Sequence, residues 1–123
     1  MSNFCEEGLA VFREMIPGVL PDDDAEVDWG SGFASELMEI GVQNVFGRLW
    51  SRPGLSRRDR SLVTLGILIA MRSENELESH FGIALRNGLT EDELAEVIYH
   101  ATGYAGFPAA NTAKDAALKA FAR

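Results

Sequence analysis

The sequence predicts an all-α protein of five or six helices in a compact, homo-oligomeric bundle. Three observations carry that reading. Apolar residues recur at helical spacing along nearly the whole chain, and no run keeps the two-residue alternation of strands. Capping residues mark several helix starts. A chain of 123 residues with 46% hydrophobic and 24% charged content has room for one core, so one domain over 1–123 is expected.

The first helix is expected from about Asn3 to Ile16, with Phe4, Leu9, Phe12 and Ile16 on one face. Pro17 and Gly18 end it, and Pro21-Asp22-Asp23-Asp24 reads as an exposed, charged connection. A second helix runs from Ser31 or Phe33 to Trp50 through Leu37, Ile40, Val45, Phe46 and Leu49, and Ser51-Arg52-Pro53-Gly54 breaks it. Ser56, with Asp59 three residues on, is the expected N-cap of a third helix reaching Met71. From Leu62 to Met71 that helix is apolar on nearly every face, yet too short to span a membrane. It reads as a central helix covered on all sides, part of the cover coming from another subunit. Asn75 with Glu78 is a capping-box candidate for a fourth helix ending at Asn87-Gly88. Thr90 with Glu93 opens a fifth, reaching about Ala105. Gly106-Phe107-Pro108 separates it from a last, alanine-rich helix, Ala109 to Ala122.

The net charge of -8 argues against nucleic acid or an anionic membrane as partner, because an acidic surface is repelled by both. The single cysteine, Cys5, has no resolving partner and excludes an internal disulfide and a cysteine-based zinc site. Acidic residues stand near the start where a secretory signal needs basic ones, so a reduced, cytoplasmic setting is expected. The charge is unevenly spread. Residues 1–46 carry a balance of -9, residues 47–73 one of +5, and residues 74–123 one of -4. The basic island holds Arg48, Arg52, Arg57, Arg58, Arg60 and Arg72, and it reads either as a local anion site or as arginines paired with the acidic flanks.

The two histidines, His80 and His100, form no HExxH pattern, and no phosphate-cradling loop or GxSxG turn occurs. No cofactor or metal is expected. His80 follows Glu76 by four residues, so carboxylate and imidazole share a helix face beside Leu77, Phe81 and Ala84. A half-buried imidazole beside a carboxylate can titrate near neutrality, as a general acid or base must. The same pair also serves as a structural hydrogen bond at a helix interface. His100 repeats the geometry with Glu96 and Tyr104, on a helix whose apolar face already accounts for it by packing. Trp50, Phe81 and Tyr104 could line a pocket, although aromatic residues at helical spacing usually build core.

Together these residues form a recognisable pattern. The run GRLWSRPGLSRRDRSLVT over 47–64, then ELESH over 76–80, NGLTEDEL over 87–94 and YAGFPAAN over 104–111, resembles the carboxymuconolactone decarboxylase family. The likeness covers about residues 44 to 117, and the N-terminal third shares less of it. It implies an all-helical subunit in a homo-oligomer, a trimer or a ring-like hexamer, and cofactor-free decarboxylation of 4-carboxymuconolactone to 3-oxoadipate enol-lactone in aromatic catabolism. The alkyl-hydroperoxidase D-like branch carries a Cys-x-x-Cys before the equivalent of His80. Here those places hold Ser73 and Glu76, so that redox chemistry is not expected.

The implied chemistry suits these residue types. Loss of CO₂ from the γ carbon of an unsaturated lactone leaves a dienolate, and the lactone is the electron sink. A protein must hold the dianion, stabilise the growing oxyanion and protonate carbon. The resemblance assigns the proton donor to His80, with Glu76 orienting the imidazole and raising its pKa. Arg60 and Arg52 are expected to clamp the carboxylates, and Trp50 and Tyr104 to shape the pocket. Two other readings stand beside this one: a cofactor-free lyase or isomerase acting on another small acidic molecule, and a non-catalytic, oligomeric ligand-binding protein.

Overall fold

The computed structural model describes residues 4–21 and 26–122. Asn3, at the expected start of the first helix, and Asp22, Asp23 and Asp24 of the expected connection lie outside the described residues. All regular structure among the described residues is helical: α1 (Phe4–Met15), α2 (Leu37–Gly41) continuing into a π-helical segment (Val42–Trp50), α3 (Arg57–Met71), α4 (Glu74–Arg86), α5 (Glu91–Ala101) and α6 (Phe107–Phe121). No helix of the described residues is long and apolar enough to cross a membrane. Contacts group into two units, Met1–Leu55 and Ser56–Arg123.

In the first unit α1 lies along the π-helical segment, and two glycines set how closely. A β-carbon on Gly8 would lie 2.1 Å from the Val42 carbonyl oxygen, and one on Gly47 2.2 Å from that of Phe4. The backbones therefore touch at two points of the crossing, and Phe12 and Phe46 meet edge to face at 4.9 Å. This contact corrects the expected stripe. Phe12 is buried as expected, but the rest of the buried face of α1 is Gly8, Val11 and Met15 rather than Phe4, Leu9 and Ile16. The helix turns its glycine inward because only hydrogen fits there. The second helix also begins later than expected, at Leu37. Gly30, Gly32 and Ala34 all take positive φ, which keeps the chain out of helix before that point.

The second unit is a four-helix core. Leu65 and Ile69 of α3, Leu77 and Phe81 of α4 and Leu94 of α5 are fully buried. From α6 comes an alanine face, Ala109, Ala113, Ala116 and Ala117, small enough for α4 to pack close against it. Ser56 Oγ accepts from the Asp59 N–H at 3.0 Å. The Thr90–Glu93 capping box forms fully: the Glu93 N–H donates to Thr90 Oγ1 at 3.1 Å, and the Thr90 N–H to Glu93 Oε1 at 3.0 Å.

Two expectations here are corrected. No Asn75–Glu78 box opens α4, because the helix starts at Glu74 with Ser73 as its N-cap. Arg72 ends α3 in the left-handed conformation (φ 53°), and the Ser73 N–H returns to the Leu68 carbonyl at 3.1 Å. That turn uses no spare residues, so α4 begins at once. Next, α5 stops at Ala101, and Gly106 (φ 94°) is the N-cap of α6, with Pro108 inside its first turn. Within one chain, α3 is covered on one side only. Val63, Ile67 and Met71 are exposed, since α4, α5 and α6 reach only its opposite face.

Candidate functional site

His80 lies on the second turn of α4, between the buried Leu77 and Phe81 on one side and the exposed Glu76 one turn earlier. Its ring is half-buried and Nδ1 is sealed from solvent. Burial pushes the imidazole below its ordinary value of 6.5, while the Glu76 carboxylate pulls it upward. Burial wins. The Glu76 charge acts in the expected, raising direction, but desolvation outweighs it. The resting imidazole is therefore neutral at neutral pH. A neutral imidazole accepts a proton readily and donates one poorly, unless an added negative charge restores its proton affinity.

The arginine island is divided. Arg58 donates through Nη2 to Glu93 Oε2 and also lies 3.8 Å from Asp59, so it is engaged within the unit. Glu93 thereby caps α5 with one oxygen and holds α3 with the other. Arg72 is the exposed C-cap of α3, its backbone in the left-handed conformation. Arg48, in the first unit, stacks on the Phe4 ring at 4.6 Å. Arg60 is half-buried on the second turn of α3 with Nε sealed from solvent, and its backbone N–H donates to the Ser56 carbonyl at 2.9 Å.

The expected site residues fall in both units. Arg60, Glu76, His80 and Tyr104 belong to the second. Trp50 and Arg52 belong to the first, where Trp50 closes the π-helical segment as a buried side chain and Arg52 follows it exposed. Within the second unit Glu76 and His80 are brought together, but Tyr104 is not brought to them. It is 87% exposed and stacks on His100 at 5.3 Å. Phe81 is core rather than pocket wall, packed edge to face with Phe121 at 6.4 Å.

Tyr104 and His100 instead border a cleft of about 520 Å³ between α3 and α5, floored by Gly66, Ala70 and Ala101. The sequence reading missed this cleft. Its signal was present in the row Leu62, Gly66, Ala70, which leaves small residues at helical spacing inside an apolar helix. The cleft is apolar and unsuited to a dianion. Among the described residues no group of three or more His, Cys, Asp or Glu side chains is arranged to hold a metal ion.

Residues 36–119 match the Carboxymuconolactone decarboxylase family. The chain is 49% identical over 76 residues to 4-carboxymuconolactone decarboxylase of Acinetobacter baylyi, an alignment covering 62% of this chain and 57% of that protein. It is 42% identical over 103 residues to nitrosuccinic acid decarboxylase of Metarhizium robertsii, covering 84% of this chain and 71% of that protein. The chain thus spans little more than half the length of the first relative. The matched segment contains both α3 and α4, with Arg60, Glu76 and His80, and on this evidence the chain belongs to the carboxymuconolactone decarboxylase family.

Proposed function

We propose that the protein is a carboxy-lyase that decarboxylates a small dicarboxylic acid without a cofactor, and that its substrate is 4-carboxymuconolactone. The half-buried His80, with Glu76 one turn before it, inside the family-matched segment carries the reading. In the reaction the bond between the γ carbon and its carboxylate breaks, and CO₂ leaves. The electron pair spreads through the double bond to the lactone carbonyl oxygen. A proton then goes to carbon, giving the enol-lactone. Arg60 holds a substrate carboxylate by charge-assisted hydrogen bonds. The dianion beside His80 reverses the effect of burial and raises the imidazole's proton affinity, so His80 takes up a proton as substrate binds and gives it to carbon. Glu76 is a positioning residue that keeps the imidazolium within reach.

A second reading takes its support from the nitrosuccinic acid decarboxylase relative, whose alignment covers more of both chains. A nitro group is also an electron sink, so loss of CO₂ from nitrosuccinate leaves a nitronate that needs the same proton. One pair of assays tests both. Purified protein without added cofactor is given each acid in turn and CO₂ is followed. Turnover on the lactone supports the first reading, turnover on nitrosuccinate alone replaces it with the second, and no turnover on either removes both.

A further inference from the structure

We infer that Ser61 and Asn87 are positioning residues for the reaction proposed above. The hydrogen bond between them sets the register of α3 on α4, and with it the place of the Arg60 guanidinium relative to the His80 imidazole. The inference rests on the decarboxylase reading. Among the described residues, Ser61 is the one polar side chain taken fully into the core, at 1% exposure. Its Oγ accepts from Asn87 Nδ2 at 2.9 Å, across 26 residues of sequence. Asn87 is the C-cap of α4, and its backbone N–H already closes that helix on the Ile83 carbonyl at 2.8 Å. The side-chain amide is left to serve the neighbouring helix.

Its place in the fold gives this bond leverage. The tight turn at Arg72 and Ser73 joins α3 to α4 at one end, and Ser61 meets Asn87 at the other, so the helices run antiparallel. His80 lies between these ties, about 10 Å of helix before Asn87. Arg60 is the direct neighbour of Ser61. Along the same stretch Leu65 and Ile69 of α3 share the core with Leu77 and Phe81 of α4. Apolar burial holds helices together but has no direction, so it tolerates a small slide or roll. A hydrogen bond does not, because it weakens steeply when lengthened or bent. With Ser61 held inward, the roll of the first turns of α3 is fixed, and so is the direction in which Arg60 leaves the helix.

A second tie acts at the same end. Arg58 donates to Glu93, the residue that also caps α5. Arg60 thus stands between two residues whose side chains clasp the ends of α4 and α5 that face each other across Gly88 and Leu89. The Arg58 tie joins two long, half-exposed side chains, whereas Ser61–Asn87 joins two short ones with the hydroxyl buried. Stability alone does not call for a hydroxyl here. Alanine is the better helix former, and a buried hydrogen bond gains little over well-packed apolar atoms. What the pair adds is a defined geometry next to Arg60.

The test is steady-state kinetics with whichever of the two acids the wild type decarboxylates, on variants whose fold is checked by circular dichroism. Ser61→Ala should lower kcat/KM by about 10- to 100-fold, mainly through KM, as misplacement of a binding group does. Asn87→Ala should match it. Asn87→Asp, whose carboxylate can accept from the Ser61 hydroxyl, should keep kcat/KM within about threefold of the wild type. In an Arg60→Ala background, Ser61→Ala should cost less than about twofold more, because the group it positions is gone. A folded Ser61→Ala protein with wild-type kcat/KM, or one whose loss is undiminished without Arg60, overturns the inference and leaves the decarboxylase reading in place. If Ser61→Ala does not fold, Asn87→Ala is judged by the same two criteria. A wild type that turns over neither acid overturns the decarboxylase reading, and this inference with it.

Discussion

Glu76 precedes His80 by one turn of α4, and its carboxylate raises the proton affinity of an imidazole that burial lowers. The two influences oppose each other within one helix, and burial is the larger. This balance favours the neutral imidazole; in the proposed reaction the dianionic substrate is what charges it.

Kinetics should register the change between the two states. Since imidazolium is the donor, kcat/KM, which follows the free enzyme, should fall as pH rises through a His80 pKa lying below 6.5. The fall in kcat should come at higher pH, because the dianion is then bound. Glu76→Gln removes the charge that raises the imidazole, so the kcat/KM limb should move further to acid. Rate profiles of both proteins measure this, and coincident limbs would deny Glu76 its role.

Stability should follow the same titration with a definite sign. The unfolded imidazole takes a proton near 6.5, while the folded one takes it only at lower pH. Between those values the unfolded state binds more protons, so stability declines as pH falls from about 6.5 through the folded value. His80→Gln abolishes this component. Urea unfolding of both proteins should give a stability difference that is constant above that window and changes within it. A difference constant across the whole range would contradict the buried, neutral imidazole.

The same substitution should act in opposite directions at two sets of glycines. Gly8→Ala and Gly47→Ala drive a methyl group into a carbonyl oxygen at the α1 crossing and should cost about 1–3 kcal/mol or more. Gly82, exposed within α4, has nothing within 4 Å of its added β-carbon, so Gly82→Ala should stabilise by about 0.5–1 kcal/mol. Thermal or urea unfolding of the three variants decides the matter.

Local chemistry was the legible part of this fold. Ser56 and the Thr90–Glu93 box cap their helices as read, because a cap involves residues only three apart. The start of α4 was not legible, because a left-handed arginine, Arg72, makes the turn where glycine is the usual signal. The register of α1 escaped for a tertiary reason, the close approach at Gly8. At the site, the Glu76–His80 pairing followed from spacing, but the net direction of the titration depended on burial supplied by other helices. Arg58 illustrates the same limit: its partner Glu93 stands 35 residues away.

The central claim is that His80 delivers the proton that completes decarboxylation. Its most direct test is kcat/KM for CO₂ release from 4-carboxymuconolactone by wild-type and folded His80→Ala protein, with Arg60→Ala compared alongside. Loss of a positioned proton donor should lower the value by about 10²–10⁴-fold, while Arg60→Ala should act mainly through KM. A His80→Ala protein that keeps the wild-type kcat/KM would contradict the account.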